Sequence, residues 1–483
     1  MRPDVTLSDL LRIEDSADVV EICCPDTGIP LWTTIRLAFL RMVMEDVLYS
    51  VPLVGRHSGS RAWSLLRYAA TFPRSFAYNA LRLHALHQPY PVILMATGVR
   101  LLKRDGRYFN CLSDYFVSAA PERTFAVEDL CDWKWPFPRH NDNLLLRTPV
   151  RVEGVVKGWL RGGRYREYAN ALVDLVSRRA RNLLGWNVGE DRYQWLVSHA
   201  AQGAASFLPR YRRHKSIFQK MGARLLINEE ACYGGADNAT AILAAKHLDM
   251  ATAEYQHGAV SAGHDAYNFA QAISASQAYR QTLPEYFLAY GSWWGQQINA
   301  PTKKLVVGNP NRIETLIGVP AKIGKPEQIL VLGDGLDTPL YLTLCESLIA
   351  ALGGTYQVVF RPHPFERAKI FSDHRSGFVG KVAIDFHSDI YTSFREAGVV
   401  ISEVSTGLFE AIGLVARIFI WDTPKARFGY PAHPFQRFSD ADELARRIRD
   451  EGEGRVSGQD IQSIWAPNWQ RNYLEFIDEV LGE

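Results

Sequence analysis

Two stretches in the second half of the chain, QVVFRPHPFERAKI and VVISEVSTGLFEAI, restrict the possible folds more than any other feature. Each opens on a short β-branched run that stops at a polar turn, and the second turn leads directly into a helix-periodic segment. Strand, turn and helix in that order deliver the turn residues to the carboxyl edge of an α/β sheet. The two turns are then expected to meet at one edge. Arg361 offers a planar fork of donors, His363 a further donor ahead of Pro364, and Ser405 and Thr406 stand at a helix start whose dipole favours an anion. Glu410, about one turn on, is placed to accept from ribose hydroxyls. The set suits the phosphate of a nucleotide. Plainer roles exist for each residue: Arg361 and His363 can pair with Glu366, Ser405 and Thr406 can serve as helix caps, and Glu410 can be a solvated helix residue.

The same alternation recurs elsewhere. ILVLGDG reads as the first strand of a second domain, with Gly333 and Gly335 allowing backbone to approach a ligand beside Asp334, although DG is also a common turn. In the first half, PYPVILMAT and RTFAVEDL read as strands, and GARLLINEE to YQHG as a β-α-β unit. Its strands end at Glu229, Glu230 and His257, with Asp265 just beyond. A β-branched run from Ala17 to Cys24 reads as a first strand. Residues 148 to 220 lack strand signals and read as a helical insertion. NRIETLIGVPAKIGKPEQ is polar and broken by Pro and Gly, and reads as a linker. The expectation is an α/β protein of two Rossmann-like domains facing each other across a cleft. Residues 1–312 form an acceptor-side domain with a helical, basic insertion, and residues 327–483 bind the nucleotide.

With 483 residues, the chain is too long for one core. A formal charge of +2 argues against a general nucleic-acid binder, but the cations cluster: 56–104 and 210–224 carry Arg and Lys with no acid between Asp46 and Asp105 or from Arg192 to Asn228. With Trp63, Phe72 and Phe76 interleaved, the first cluster suits an anionic membrane surface or a basic hairpin on the protein's own surface. Six scattered cysteines without a CxxC pair point to a reducing compartment and no structural zinc. The opening residues are unlike a signal peptide and no apolar run is long enough for a membrane span, so a cytoplasmic protein, peripheral on the inner membrane at most, is expected.

From about residue 220 to 425, the QHG turn, the GNP before the linker, RPHP and ST…FEA together resemble glycosyltransferases of the GT-B fold, above all those of bacterial capsule and lipopolysaccharide assembly. In the sialyltransferases and Kdo transferases of that kind, an HP pair and a Ser-rich turn hold the CMP phosphate; here His363, Pro364, Ser405 and Thr406 match those places. The resemblance implies a transferase that moves a sugar from a nucleotide-sugar donor, CMP-sugar favoured, to a lipid-linked or oligosaccharide acceptor. Glu403 and Glu410 have six residues between them, not the seven of the retaining pattern, so inversion is expected. The base belongs on the first domain: His257 leads, with Glu229, Glu230 and Asp265 as rivals. There is no DxD site, so metal-independent chemistry is expected, and no cofactor is implied. A nucleotide-sugar epimerase, a CDP-glycerol-type phosphotransferase and a non-catalytic nucleotide-sugar sensor share the plan.

Overall fold

The computed structural model describes residues 5–49, 61–84, 88–130, 135–317, 325–373, 378–450 and 454–483, so Arg56, Cys131 and the middle of the expected linker lie outside the described residues. Two parallel sheets form its frame. The first holds β1 (Val92–Ala96), β2 (Thr124–Glu128), β3 (Leu144–Leu146), β4 (Leu225–Asn228), β5 (Ala251–Tyr255), β6 (Tyr286–Ala289) and β7 (Lys303–Val306). Their order is β3-β2-β1-β4-β5-β6-β7, all parallel. Because both faces are covered, VILMA and LLI are unbroken apolar runs instead of alternating ones. The chain winds outward from β1 to β3 and then returns to β4 on the other side of β1, which opens a crevice at the carboxyl ends of those two strands.

The second sheet holds β8 (Lys325–Leu332), β9 (Gln357–Arg361), β10 (Phe378–Val379), β11 (Val382–Ile384), β12 (Ala397–Ser402), β13 (Arg417–Trp421) and β14 (Gln436–Phe438). Its order is β10-β11-β9-β8-β12-β13-β14, with only the short β10 antiparallel. β8 lies between β9 and β12, so the turns after all three strands share one edge. The architecture is the expected α/β pair of Rossmann-like sheets facing each other across a cleft, the GT-B arrangement. Leu336, Val404 and Gly429 of the second half line the same small cavity as His264 and Asp265 of the first.

The helical insertion is present as Thr148–Arg161, Arg166–Leu184 and Glu190–Met221. The first and third of these helices touch through glycines: a Cβ on Gly154 would lie 2.2 Å from Arg210 Nε, and one on Gly158 would lie 2.8 Å from the Gln202 carbonyl oxygen. The insertion's cations are partly consumed inside the fold. Arg210 is buried against Asp237 at 3.0 Å and Arg213 meets Glu153 at 2.6 Å, so 210–224 is not one bare basic face.

One further expectation is corrected. Residues Ala17–Glu21 form a one-turn helix, not a strand; Val19 and Val20 are both buried, and packing on the helical layer overrides β-propensity. Near the end of the chain the helix Gly458–Ile464 is followed after residues 465–468 by the helix Trp469–Leu481, which packs on the first sheet, where Trp469 and Tyr473 meet Phe116. Among the described residues no helix is long and apolar enough to cross a membrane.

Candidate active site

At the edge of the second sheet, β8 ends at Gly333 and Asp334. Asp334 Oδ1 accepts from the Leu336 N–H at 2.9 Å and Oδ2 meets Lys425 Nζ at 2.6 Å; the same ammonium meets Glu403 Oε2 at 2.5 Å. Lys425 therefore bridges the ends of β8 and β12. Burial raises the Glu403 carboxyl, and Lys425 offsets part of the rise. Gly335, at φ +78, brings its backbone against the His363 ring, where a Cβ would sit 2.9 Å from Nδ1. His363 precedes the helix Pro364–Asp373, its N–H donates to Glu366 Oε1 at 3.2 Å, and burial lowers its pKa.

Two of the predicted donor contacts turn inward. Arg361 is 6 % exposed, and its Nη1 donates to Asp385 Oδ2 at 2.5 Å, Ser393 Oγ at 2.8 Å and the His387 carbonyl at 3.0 Å. One arm of the fork, Nη1, is thus engaged by Asp385, because a guanidinium on a buried strand end needs a counter-ion. Glu410 accepts from the Tyr391 hydroxyl at 2.6 Å and lies 3.7 Å from Arg312 Nε, and burial raises its pKa. It therefore joins the halves instead of awaiting a ribose. The helix after Thr406 is only Gly407–Glu410; Ser405 Oγ accepts from the Gly407 N–H at 3.2 Å, and Thr406 is exposed without a capping bond.

Across the gap, β4 and β5 deliver Glu229, Glu230 and His257. Glu229 is buried, accepts from the Thr97 N–H at 2.6 Å, and burial pushes its pKa up to about 8. Glu230 has a left-handed backbone, φ 61, a conformation that stores strain at a strand end. Burial raises its carboxyl too, against the pull of Arg100, Arg147 and Arg41. His257 Nε2 lies 3.8 Å from Glu230 Oε1. Its Nδ1 is 3.4 Å from the Tyr267 hydroxyl, which itself donates to buried Glu254 at 2.7 Å. The Tyr267 oxygen therefore accepts from Nδ1–H, which leaves the Nε2 lone pair open toward Glu230. Burial, Arg100 and His264 lower the His257 pKa to about 3, far from the neutral value expected of a base.

Asp265 is set apart from this pair. Burial pushes its carboxyl up, but Arg41, bound at 2.8 Å, and His264 outweigh burial and hold it below the usual range. Its backbone is fixed from the first helical layer: Arg36, paired with Glu14 at 2.7 Å, donates to the Asp265 carbonyl at 2.7 Å and to the Asn268 carbonyl at 2.6 Å. The helix Trp32–Met44 carrying Arg36 and Arg41 runs on into a wide turn, Glu45–Tyr49, that lays Tyr49 in the cavity of about 270 Å³ between the halves. Wide helical turns of this kind recur at functional sites.

The sequence counted Arg100 only as one cation of a cluster. It lies in the turn after β1, and its charge acts on Glu229, Glu230 and His257 of the first edge and on His363 of the second. Lys425 and the Glu254–Tyr267 pair were also missed, since no local pattern marks any of them. Among the described residues no group of three or more His, Cys, Asp or Glu is placed to hold a metal ion.

No family model matches the sequence, and no curated protein does. Solved structures do superpose over most of the chain. A UDP-GlcNAc 2-epimerase from Methanocaldococcus jannaschii is 11 % identical with a TM-score of 0.44, covering 81 % of this chain and 99 % of that one. A glycosyltransferase from Rickettsia africae is 13 % identical with a TM-score of 0.41, covering 82 % and 99 %. A putative UDP-N-acetylglucosamine 2-epimerase from Listeria monocytogenes is 11 % identical with a TM-score of 0.39, covering 80 % and 94 %. Superpositions this loose carry no argument about activity.

Proposed function

We propose that the protein is a glycosyltransferase that binds a nucleotide sugar at the edge of the second sheet and passes the sugar, with inversion, to a lipid-linked or oligosaccharide hydroxyl held by the first, in surface-polysaccharide assembly. One observation carries the reading: a single exposed cation, Arg100, acts at once on the Glu230–His257 pair and on His363. A charge so placed is matched to the phosphate of a donor lying between them.

In this reading Gly335, His363, Ser405 and Thr406 surround the donor phosphate, with Gly333 and Pro364 shaping the turns and Asp334 holding Lys425 in place. The acceptor oxygen attacks the anomeric carbon, the bond from that carbon to the phosphate oxygen breaks, and the acceptor proton passes to His257 Nε2. The nucleotide leaves as an anion toward Arg100 and His363. A pKa of about 3 makes His257 a poor base in the empty site. The donor's negative charge, set against Arg100, raises that pKa, so proton acceptance is coupled to donor binding. Glu229, near 8, is protonated at neutral pH and so is not the base. Asp265, tied to Arg41, positions the loop.

The test is a thermal-shift panel of CMP, UDP, GDP, CDP and TDP on the wild type and on His257→Ala. One nucleotide, CMP by the HP and Ser-turn resemblance, raises the midpoint of both proteins. With the corresponding nucleotide sugar and acceptor, His257→Ala turns over roughly 10²–10⁴-fold more slowly. Conversion of the nucleotide sugar to an epimer without any acceptor would replace the transferase reading by an epimerase. Undiminished turnover in His257→Ala would remove the residue from the mechanism.

A further inference from the structure

The helix Arg61–His84 is turned the wrong way round for a helix bathed only in water. Its polar residues face the protein. Ser75 is buried, Asn79 bonds the Leu146 carbonyl at 2.6 Å and the Leu146 N–H at 2.8 Å, and Arg82 pairs with Asp142 at 3.0 Å. Pro73, Phe76, Ala77, Ala80 and Leu81 are exposed instead, at the spacing of one continuous helical face. Phe76 is 53 % exposed and Leu81 74 %, and the Phe76 ring stacks on Phe72 at 5.9 Å. An exposed apolar stripe of this kind marks a contact surface.

The helix Thr148–Arg161 packs beside it and repeats the pattern. Gly154 and Gly158 touch the helix Glu190–Met221, and two residues on from each, Val156 and Leu160 are 37 % and 77 % exposed. Two residues turn a helix by about 200°, so this apolar pair faces away from the insertion's own core. Charge divides in the same way. The first helix has Arg61, Arg67, Arg74 and Arg82 and no acidic residue; the second has a single acid, Glu153, which Arg213 meets at 2.6 Å. Exposed Arg74 and Arg161 and half-buried Lys157 border the stripes. Large apolar side chains with cations along their border, and no uncompensated acid, are complementary to hydrocarbon lying under a layer of phosphate.

We propose that these two helices dock the protein on a bilayer rich in anionic phospholipid. Phe76, Leu81, Val156 and Leu160 enter the acyl boundary, and Arg74, Lys157 and Arg161 meet the headgroup phosphates. On their inner side Gly154 and Gly158 roof a cavity of about 640 Å³ that Glu229 and Glu230 also line, so the bilayer lies just outside that roof. Entry of a lipid-linked acceptor from there rests on the transferase reading; lipid binding itself does not.

Flotation of the whole protein with vesicles of phosphatidylglycerol and phosphatidylcholine in equal parts, and with phosphatidylcholine alone, tests the assignment. The wild type is expected to float with the anionic vesicles and to stay behind with the neutral ones. Phe76→Ser with Leu81→Ser is expected to weaken binding at least about tenfold, because two large apolar side chains leave the lipid. Leu160→Ser, on the other helix, is expected to weaken it in the same direction, and Lys157→Glu with Arg161→Glu to abolish it. Phe386→Ser, which removes an exposed ring from the second half, is expected to leave binding unchanged. Each variant is expected to keep the wild-type thermal midpoint, which shows that it folds. No flotation of the wild type, equal flotation with neutral vesicles, or undiminished binding in the folded Phe76 and Leu81 double variant overturns the proposal. So does a wild type that elutes as a dimer, with monomeric variants and no vesicle binding, which makes the face a contact between copies. None of these outcomes bears on nucleotide binding, which the thermal-shift panel reads separately.

Discussion

Glu229 and His257 follow the ends of neighbouring strands and oppose one another in their response to pH. Folding raises the Glu229 pKa from 4.5 to about 8, so the folded protein keeps a proton that the unfolded chain releases. Its stabilising contribution is complete below the unfolded value and is lost as pH rises through the folded one. His257 falls from 6.5 to about 3, so its contribution is present above 6.5 and is lost as pH falls toward 3. Between pH 6.5 and 8 only the Glu229 slope operates of the two. Urea unfolding across that window is expected to show falling stability in the wild type and a flatter profile in Glu229→Gln, whose amide resembles the protonated acid. Neither shift was legible in the sequence, because both arise from burial among residues distant along the chain. The HP turn was legible, and His363 does stand at the expected edge. Its neighbour Arg361 matched the same motif yet closes on Asp385, since a one-dimensional pattern gives the position of a fork but not the direction in which it points.

Whole elements were easier to read than side chains. Continuous apolar runs such as VILMA and VVIS gave the buried parallel strands, and the Gly353 cap ended the first helix of the second sheet where the pattern stopped, in a left-handed residue at φ 62. The early run at Ala17 misled because two adjacent valines suit a strand equally well, and only the helical layer they pack on decides. Gly154 and Gly158 of the helix Thr148–Arg161 are points of closest approach between helices. A methyl group on Gly158 would meet the Gln202 carbonyl oxygen at 2.8 Å, backbone that cannot step aside. Gly158→Ala is expected to cost about 1–3 kcal/mol in chemical unfolding, as overpacking does. Gly163→Ala, where a Cβ would find nothing within 4 Å, serves as the neutral comparison.

Over the whole molecule, the two-sheet plan followed from the strand–helix alternation, but the route of the chain between the sheets did not. After β14 and the helix Gly458–Ile464 the chain returns, and Trp469–Leu481 lies on the first sheet. Trp294 Nε1 donates to the Ile464 carbonyl at 2.8 Å, and Gly291 leaves room only for that segment's backbone. A fragment ending at residue 317 is therefore expected to lack the cover over Phe116 and to aggregate when expressed alone. The same fragment supplied with residues 325–483 on a second plasmid is expected to elute as one complex in gel filtration.

That return passage makes the halves neighbours twice over, once through the stretch after Leu316 and once through the stretch before Trp469. A body held at a single point can swivel freely, whereas one held at two is restricted to turning about the line that joins them. Here a packed seam, Trp294 against Phe409 and Arg312 against Glu410, adds further holds to those two crossings, so the halves are expected to move little against each other.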